Sequence, residues 1–456
     1  MALLAAVAAL AIAAYLLGRR RALRAQAAGA SLHSLPGYYG GYAALWAALP
    51  GLAIAIAWVG VSAFAIDALS LRAVPAHALP ETDAQVALLL NDARNLAEGL
   101  IPREGASEAV RAAADRLAEL RARGLAAAVA LAAILTAVAA ALALRRIRPE
   151  LAARVRVERM LQRGLLLAST LAILVTIGIV LSLVFETARF FAKVDPAEFL
   201  FGLHWSPQTA LRHDQVGSSG SFGAVPVFAG TLLITGIAML VALPIGLFSA
   251  ICMTFYAPPR LRDVVKPLLE ILAGVPTVVY GFFAALIVAP VVRDAGTALG
   301  LSVASESALA AGMVMGVMII PFISSLSDDV ITAVPAALRD GSYGLGATRS
   351  ETIRHVIVPA ALPGIMGGFL LAVSRAIGET MIVVMAAGLA ANLTANPLAA
   401  VTTVTVQIVT LLTGDQEFDS AKTLSAFALG LVLFVVTLVL NVFALRIVQR
   451  YREKYD

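Results

Sequence analysis

Two ionisable side chains, Arg375 and Glu379, interrupt an apolar run over 364–390. An arginine at the centre of a membrane-spanning helix costs about 2.5–3.5 kcal/mol to insert. A leucine, isoleucine, phenylalanine or valine returns only about 0.3–0.6 kcal/mol. Such a pair must therefore face other helices or an aqueous path. At roughly 100° per residue, Gly368, Leu371, Ala372, Arg375, Gly378, Glu379, Ile382 and Ala386 fall on one stripe. Met366, Phe369, Leu370, Val373, Ile377 and Val384 occupy the opposite, lipid-suited face. The first stripe is mostly small residues, which permit close helix approach, and i,i+4 spacing lets the two charges touch. A guanidinium there offers planar, paired donors to an oxyanion on a translocation path, with Glu379 holding or gating it. The alternative is an ion pair that only fixes helix packing.

The elements that position this pair are membrane spans. Of the 456 residues, 60% are hydrophobic and 14% charged, against roughly 25% charged in soluble proteins, and the mean hydropathy is +0.89. Nine apolar runs lie near 2–18, 43–66, 124–144, 164–186, 228–254, 268–292, 307–327, 364–390 and 422–446. They are of the length that crosses a hydrocarbon core about 30 Å thick as a helix. In lipid a segment must satisfy its own backbone groups, so the chain is expected to be an all-α polytopic membrane protein. The short alternating segments of an outer-membrane barrel are absent.

The formal charge of +5 would suggest nucleic acid in a soluble protein. Here the cations flank the spans, so the expected partner is the lipid bilayer and not a nucleic acid. Arg19, Arg20, Arg21 and Arg24 follow the first run instead of preceding it, unlike a cleavable signal peptide. Further basic stretches fall at 145–163, at 255–267 with Arg260, Arg262 and Lys266, at 328–363 and in the C-terminal tail with Arg446, Arg450, Arg452 and Lys454. The stretch 391–421 contains no Lys or Arg. These asymmetries place the N-terminus outside and the C-terminus inside. The exception, 67–123, is long enough to cross as a small domain. Cys252 is the single cysteine and lies within a span, which excludes a disulfide framework and a Cys-based metal site. His204 and His213 lack metal-ligand spacing, so no metal is expected.

The chain reads as two parts. Residues 1–160 form a three-span extension with an external helical segment over 67–123. Within it, Ser107 caps an amphipathic helix at 107–121 whose stripe is Val110, Ala114, Leu117 and Leu120. Residues 161–456 form a six-span core, where Pro276 is expected to kink the sixth span and free backbone groups. No internal repeat is evident.

The loop 333–363 is orderly. Pro335 suits a helix start and Ala336, Ala337 and Leu338 are strong helix formers. Gly344 and Gly346 should end that helix. Thr348 and Glu351 then form a capping box for a second helix, whose apolar positions Ile353, Val356 and Ile357 recur until Pro359 stops it. Two short helices broken by glycine make a rigid protrusion suited to docking in a groove of another protein.

The run Asp340-Gly341-Ser342, then Gly346, then Val356-Ile357-Val358-Pro359 resembles the EAA loop of ABC importer permeases, which reads E-A-A, three residues, G, nine residues, I-x-L-P. Here Asp replaces Glu, Gly and Ser replace the two Ala, and Val replaces both Ile and Leu. The resemblance implies that 333–359 is the coupling loop that rests on an ATPase subunit. No G-x-x-x-x-G-K-[ST] occurs in the chain, so ATP and Mg are expected on a separate ATPase chain, with no cofactor and no enzymatic activity in this one.

The run Ser374-Arg375-Ala376-Ile377-Gly378-Glu379-Thr380-Met381 is similar to a signature of phosphate-specific members. So are Tyr256-Ala257-Pro258-Pro259-Arg260 with 272–281, Pro196–Leu200 with Trp205-Ser206-Pro207, and Pro321-Phe322-Ile323. Met381 after Thr380 points to the PstC branch over its sister PstA. The resemblance covers roughly 160–456. It implies a type I ABC importer (MetI-like) six-helix core for inorganic phosphate in a bacterial inner membrane. It further implies a homologous second permease, an ATPase dimer and an external phosphate-binding protein as partners. Another oxyanion as cargo, or an ion-coupled secondary carrier, remains as an alternative.

Overall fold

The computed structural model describes residues 2–75, 82–209, 219–413 and 419–451. His213, Arg452 and Lys454 lie outside the described residues. Among those described, nine helices are long and apolar enough to cross a membrane, and they correspond one for one to the nine runs. The chain divides into two compact units, Met1–Leu174 and Val175–Asp456.

In the first unit, α1 (Ala2–Ala27), α2 (Pro36–Leu71) and α4 (Glu108–Arg146) pack on one another, and α3 (Asp83–Ala97) lies against α4. Small residues set the spacing. A Cβ at Gly51 would lie 2.5 Å from Thr136 Oγ1 and 2.6 Å from a Val7 methyl, so the three helices approach where only glycine fits. Ser107 caps α4 by accepting from Val110 N–H at 3.3 Å. The amphipathic segment and the span that follows it are one helix of 39 residues, about 58 Å long at 1.5 Å per residue. Val110, Ala114 and Leu117 are buried as the stripe requires, and the first two pack with Leu89, Ala93 and Leu96 of α3. The opposite face carries the Arg123–Glu119 ion pair at 2.6 Å, and Arg121 pairs across to Glu98 at the end of α3 at 2.9 Å.

α5 (Ala153–Phe191) leads into the second unit. α6 (Pro196–Phe201) and an antiparallel hairpin of β1 (Trp205–Thr209) and β2 (Ser219–Phe222) follow it. There Phe190, Phe199, Trp205 and Phe222 form a cluster of edge-on rings. The centre of the unit is α7 (Val225–Ile251) against α11 (Ala308–Thr332). Gly312 and Gly316, one turn apart on α11, would place a Cβ 2.7 Å from Ile237 and 2.8 Å from Val241, a small-xxx-small crossing. Between them run α8 (Pro259–Ala273), α9 (Thr277–Phe283) and α10 (Ala289–Ala298). After α11 come α12 (Ala336–Gly344), α13 (Arg349–Thr352), α14 (Val358–Ile377), α15 (Met381–Ala386), α16 (Val404–Leu412) and α17 (Ala421–Tyr451). The main core joins Ile234 and Ala238 of α7, Met315 and Ile319 of α11, Ala372 and Ala376 of α14 and Ile382 of α15.

Among the described residues, three wide π-turns interrupt the helices, at Cys252–Tyr256, Ala284–Val288 and Ile353–Ile357. The last corrects one expectation: Pro359 does not end its helix. The Val358 N–H bonds Ile353 O across the wide turn, which makes room for a ring that would otherwise meet a carbonyl one turn back. The apolar helix therefore runs from Arg349 to Ile377. Pro276 is corrected as well. It sits between α8 and α9 at the cap of α9, in extended backbone (φ −57°, ψ 136°), and kinks no helix. The sixth span starts after it, at Thr277.

Candidate functional site

The run 364–390 is not one helix. α14 ends at Ile377, Gly378 to Thr380 leave helical hydrogen bonding, and α15 restarts at Met381. This overturns the expected contact between Arg375 and Glu379, because i,i+4 proximity requires an unbroken helix. Glu379 turns to backbone instead. Its Oε1 accepts from Met381 N–H at 3.1 Å and Ile382 N–H at 3.4 Å, and its carbonyl accepts from the Thr405 hydroxyl at 2.8 Å. The carboxylate thus serves amides that a helix start leaves unpaired. Ile377, assigned by projection to lipid, is 3% exposed, and the buried line of α14 is Ala361, Ile365, Gly368, Ala372 and Ala376.

Arg375 projects beside that line. Its guanidinium stands over the Phe322 ring, 5.8 Å from the centroid, a cation–π contact that leaves its N–H groups free. It lines a cavity of ≈ 250 Å³ together with Phe322, Ser324, Ser325 and Asp328 of α11 and Lys266 and Glu270 of α8. α8 has no buried residue and presents Leu261, Val264, Leu268 and Ile271 outward. Its other side carries the cations.

Asp328 is the group that sequence reasoning missed. It is 3% exposed, and it accepts from Thr254 Oγ1 at 2.7 Å, Lys266 Nζ at 2.8 Å and Arg262 Nη2 at 3.3 Å. A buried carboxylate requires this degree of compensation. The hydrogen bond to Asp328 raises the Lys266 pKa above its ordinary value. The available signal was an acid at the end of the seventh run facing a basic stretch one loop earlier. Membrane orientation by itself accounts for Arg262 and Lys266 in the sequence.

The loop 333–359 folds as the short helix α12 and the first turns of the long helix that begins at Arg349. α12 carries Asp340, Gly341 and Ser342 and buries none of its residues. It ends in a turn where Gly346 takes φ +86°. There Gly346 N–H bonds Tyr343 O and Ala347 N–H bonds Ser342 O, the paired bonds of a Schellman cap that favours glycine. Thr348 and Glu351 close the capping box: Glu351 Oε2 accepts from Thr348 N–H at 2.8 Å, and Thr348 Oγ1 accepts from Glu351 N–H at 3.4 Å. A hydroxyl pair, Ser342 with Thr352 at 2.9 Å, ties the two helices together. Leu345 at the turn is 92% exposed.

Two family models match the chain. Residues 4–175 match a phosphate ATP-binding cassette transporter family, and residues 242–453 match the binding-protein-dependent transport system inner membrane component. The probable ABC transporter permease protein YqgH of Bacillus subtilis is 37% identical over 54% of this chain and 75% of its own length. The phosphate transport system permease protein PstC of Mesorhizobium japonicum is 34% identical over 52% of this chain and 74% of its own. The chain belongs to the PstC family of ABC transporter permeases. PstC 1 of Mycobacterium tuberculosis, 32% identical, covers 57% of this chain and 83% of its own. Among solved structures, a bacterial importer of the acidic polysaccharide alginate is 17% identical over 65% of this chain and 100% of its own, with a TM-score of 0.43. As a member of the PstC family the chain is a multi-pass membrane subunit with a type I permease core and a three-span N-terminal extension.

Proposed function

We propose that this chain moves inorganic phosphate across a bacterial inner membrane, as its PstC relatives' names describe for them. The observation that carries the reading is an unpaired guanidinium, Arg375, held at the edge of a cavity beside a break in a membrane helix. Irregular backbone at membrane depth is tolerated where it lines a path or is covered by protein. Arg375 supplies charge and paired donors to the oxyanion. Glu379 holds the break that gives Arg375 its room.

The N-terminus lies outside and the C-terminus inside, so 333–359 faces the cytoplasm. There Asp340, Gly341, Ser342 and Gly346 present the docking helix to a separate PstB-like ATPase dimer, which binds the ATP and Mg. The Thr348–Glu351 box keeps the second helix in register, and Pro359 lies in the helix leading back to Arg375. A PstA-like permease completes the path, and a PstS-like protein delivers phosphate from outside. The test is radiolabelled phosphate uptake by the four-component complex in proteoliposomes. ATP-dependent uptake that Arg375→Ala abolishes is expected. Undiminished uptake in that variant would sink the role of Arg375, and uptake of sulfate or molybdate in place of phosphate would reassign the cargo.

A further inference from the structure

The polar groups around the cavity are unequally satisfied. Lys266 is committed to Asp328. Among the described residues, Arg375 has only its ring contact. Glu270, on the facing helix α8, makes no ion pair and no side-chain hydrogen bond among the described residues. Ser324 is 1% exposed, and its hydroxyl has no hydrogen-bond partner among the described residues. A serine inside a helix ordinarily bonds the carbonyl one turn back when nothing else is offered. Here it leaves that bond unmade and lines the same volume as Arg375 and Glu270.

A cation, a free hydroxyl and a free carboxylate around one small cavity suit an anion that carries its own proton. A bare anion would be repelled by Glu270. An anion with an O–H instead gives that carboxylate a donor. Inorganic phosphate near neutral pH always retains at least one P–OH, whereas sulfate has none. A site that accepts a substrate's O–H discriminates strongly against an analogue lacking it, because the acceptor is then left facing charge without a proton between.

We propose that the cavity between α8, α11 and α14 is a resting site selective for protonated oxyanions. Arg375 binds phosphate oxygens, Ser324 donates a further hydrogen bond and the Glu270 carboxylate accepts a hydrogen bond from the P–OH, whose proton stays on phosphate. Asp328 acts indirectly by holding Lys266 at the rim. This rests on the phosphate-transport reading above and adds to it a filter within the membrane subunit itself.

The experiment is equilibrium binding of radiolabelled inorganic phosphate to the permease–ATPase complex in nanodiscs, with sulfate as competitor and ATP-driven uptake measured on the same preparations. For the unaltered chain, sulfate is expected to compete at least about a hundredfold more weakly than phosphate. Glu270→Gln should close that gap to within about threefold, since the amide also donates. Ser324→Ala should weaken phosphate binding about tenfold while leaving the melting temperature equal or higher, because it removes an unsatisfied buried hydroxyl. If Glu270→Gln leaves sulfate excluded, or Ser324→Ala lowers stability without weakening binding, the resting site is overturned. Should uptake by the unaltered complex persist in that case, the transport reading stands alone. Absence of ATP-driven phosphate uptake in the unaltered complex would overturn the transport reading instead.

Discussion

α4 and the α14–α15 pair meet the same bilayer with opposite backbones. α4 is a single 39-residue helix whose Gly124 does not interrupt it. The run 364–390, read as a plain span, breaks at Gly378 after a 20-residue helix and restarts as a six-residue one. Both carry a glycine in an apolar sequence, so glycine alone does not decide the matter. The break needs partners for the freed backbone groups, and Glu379 and Thr405 supply them. α4 has no carboxylate beside Gly124, and its Gly124 is occupied with making room for Trp58. A helix therefore opens where the next side chain can repair the opening.

The comparison yields a graded set of expectations. Arg375→Ala should lower phosphate uptake by at least about a hundredfold, since it removes the charge proposed to bind the cargo. Ala127→Pro would force a break in α4, where no side chain repairs it. It should cost about 3 kcal/mol of stability, read as a fall in melting temperature of the purified chain. Asp328→Asn leaves Lys266 and Arg262 without their carboxylate. A loss of about 1–3 kcal/mol is expected in the same assay, near the lower end because both cations are about a third exposed. Glu379→Ala should cost about 1 kcal/mol through lost capping and reduce uptake, with Glu379→Gln recovering part of both.

The smallest effect concerns pH. Because the folded-state pKa of Lys266 is raised, its contribution is fully present below the unfolded value of about 10.4 and fades only as pH rises through the folded value. A melting temperature that shifts between pH 6 and pH 9 equally in the unaltered chain and in Lys266→Met would be consistent with this. A shift within that window confined to the unaltered chain would refute it.

Much of this molecule is legible in its sequence, and the failures share a cause. The spans follow from apolar length alone, and the Thr348–Glu351 box and the Ser107 cap from spacings within one turn. Those signals are local. The Arg375–Glu379 contact was inferred from a helical wheel, which presumes the continuity that Glu379 itself ends. Pro359 looks like a stop in the sequence because a π-turn upstream leaves no mark in composition. Asp328 went unnoticed because its partners lie 62, 66 and 74 positions away, and positive-inside reasoning already accounted for two of them. Contacts across that separation are set by packing, which residue spacing does not encode.

The Asp328 junction also has a mechanical meaning. Asp328 stands four residues before the end of α11, and α12 begins four residues beyond that end. α8 is bound to the same point by two cationic side chains and to the rest of its unit by few other contacts. In the coupling role proposed above, a push on α12 would arrive at α8 through this pivot, without travelling the sixty-odd residues of chain between them. Since α8 carries Glu270 and α14 carries Arg375, such a lever would change the width of the cavity from one wall only.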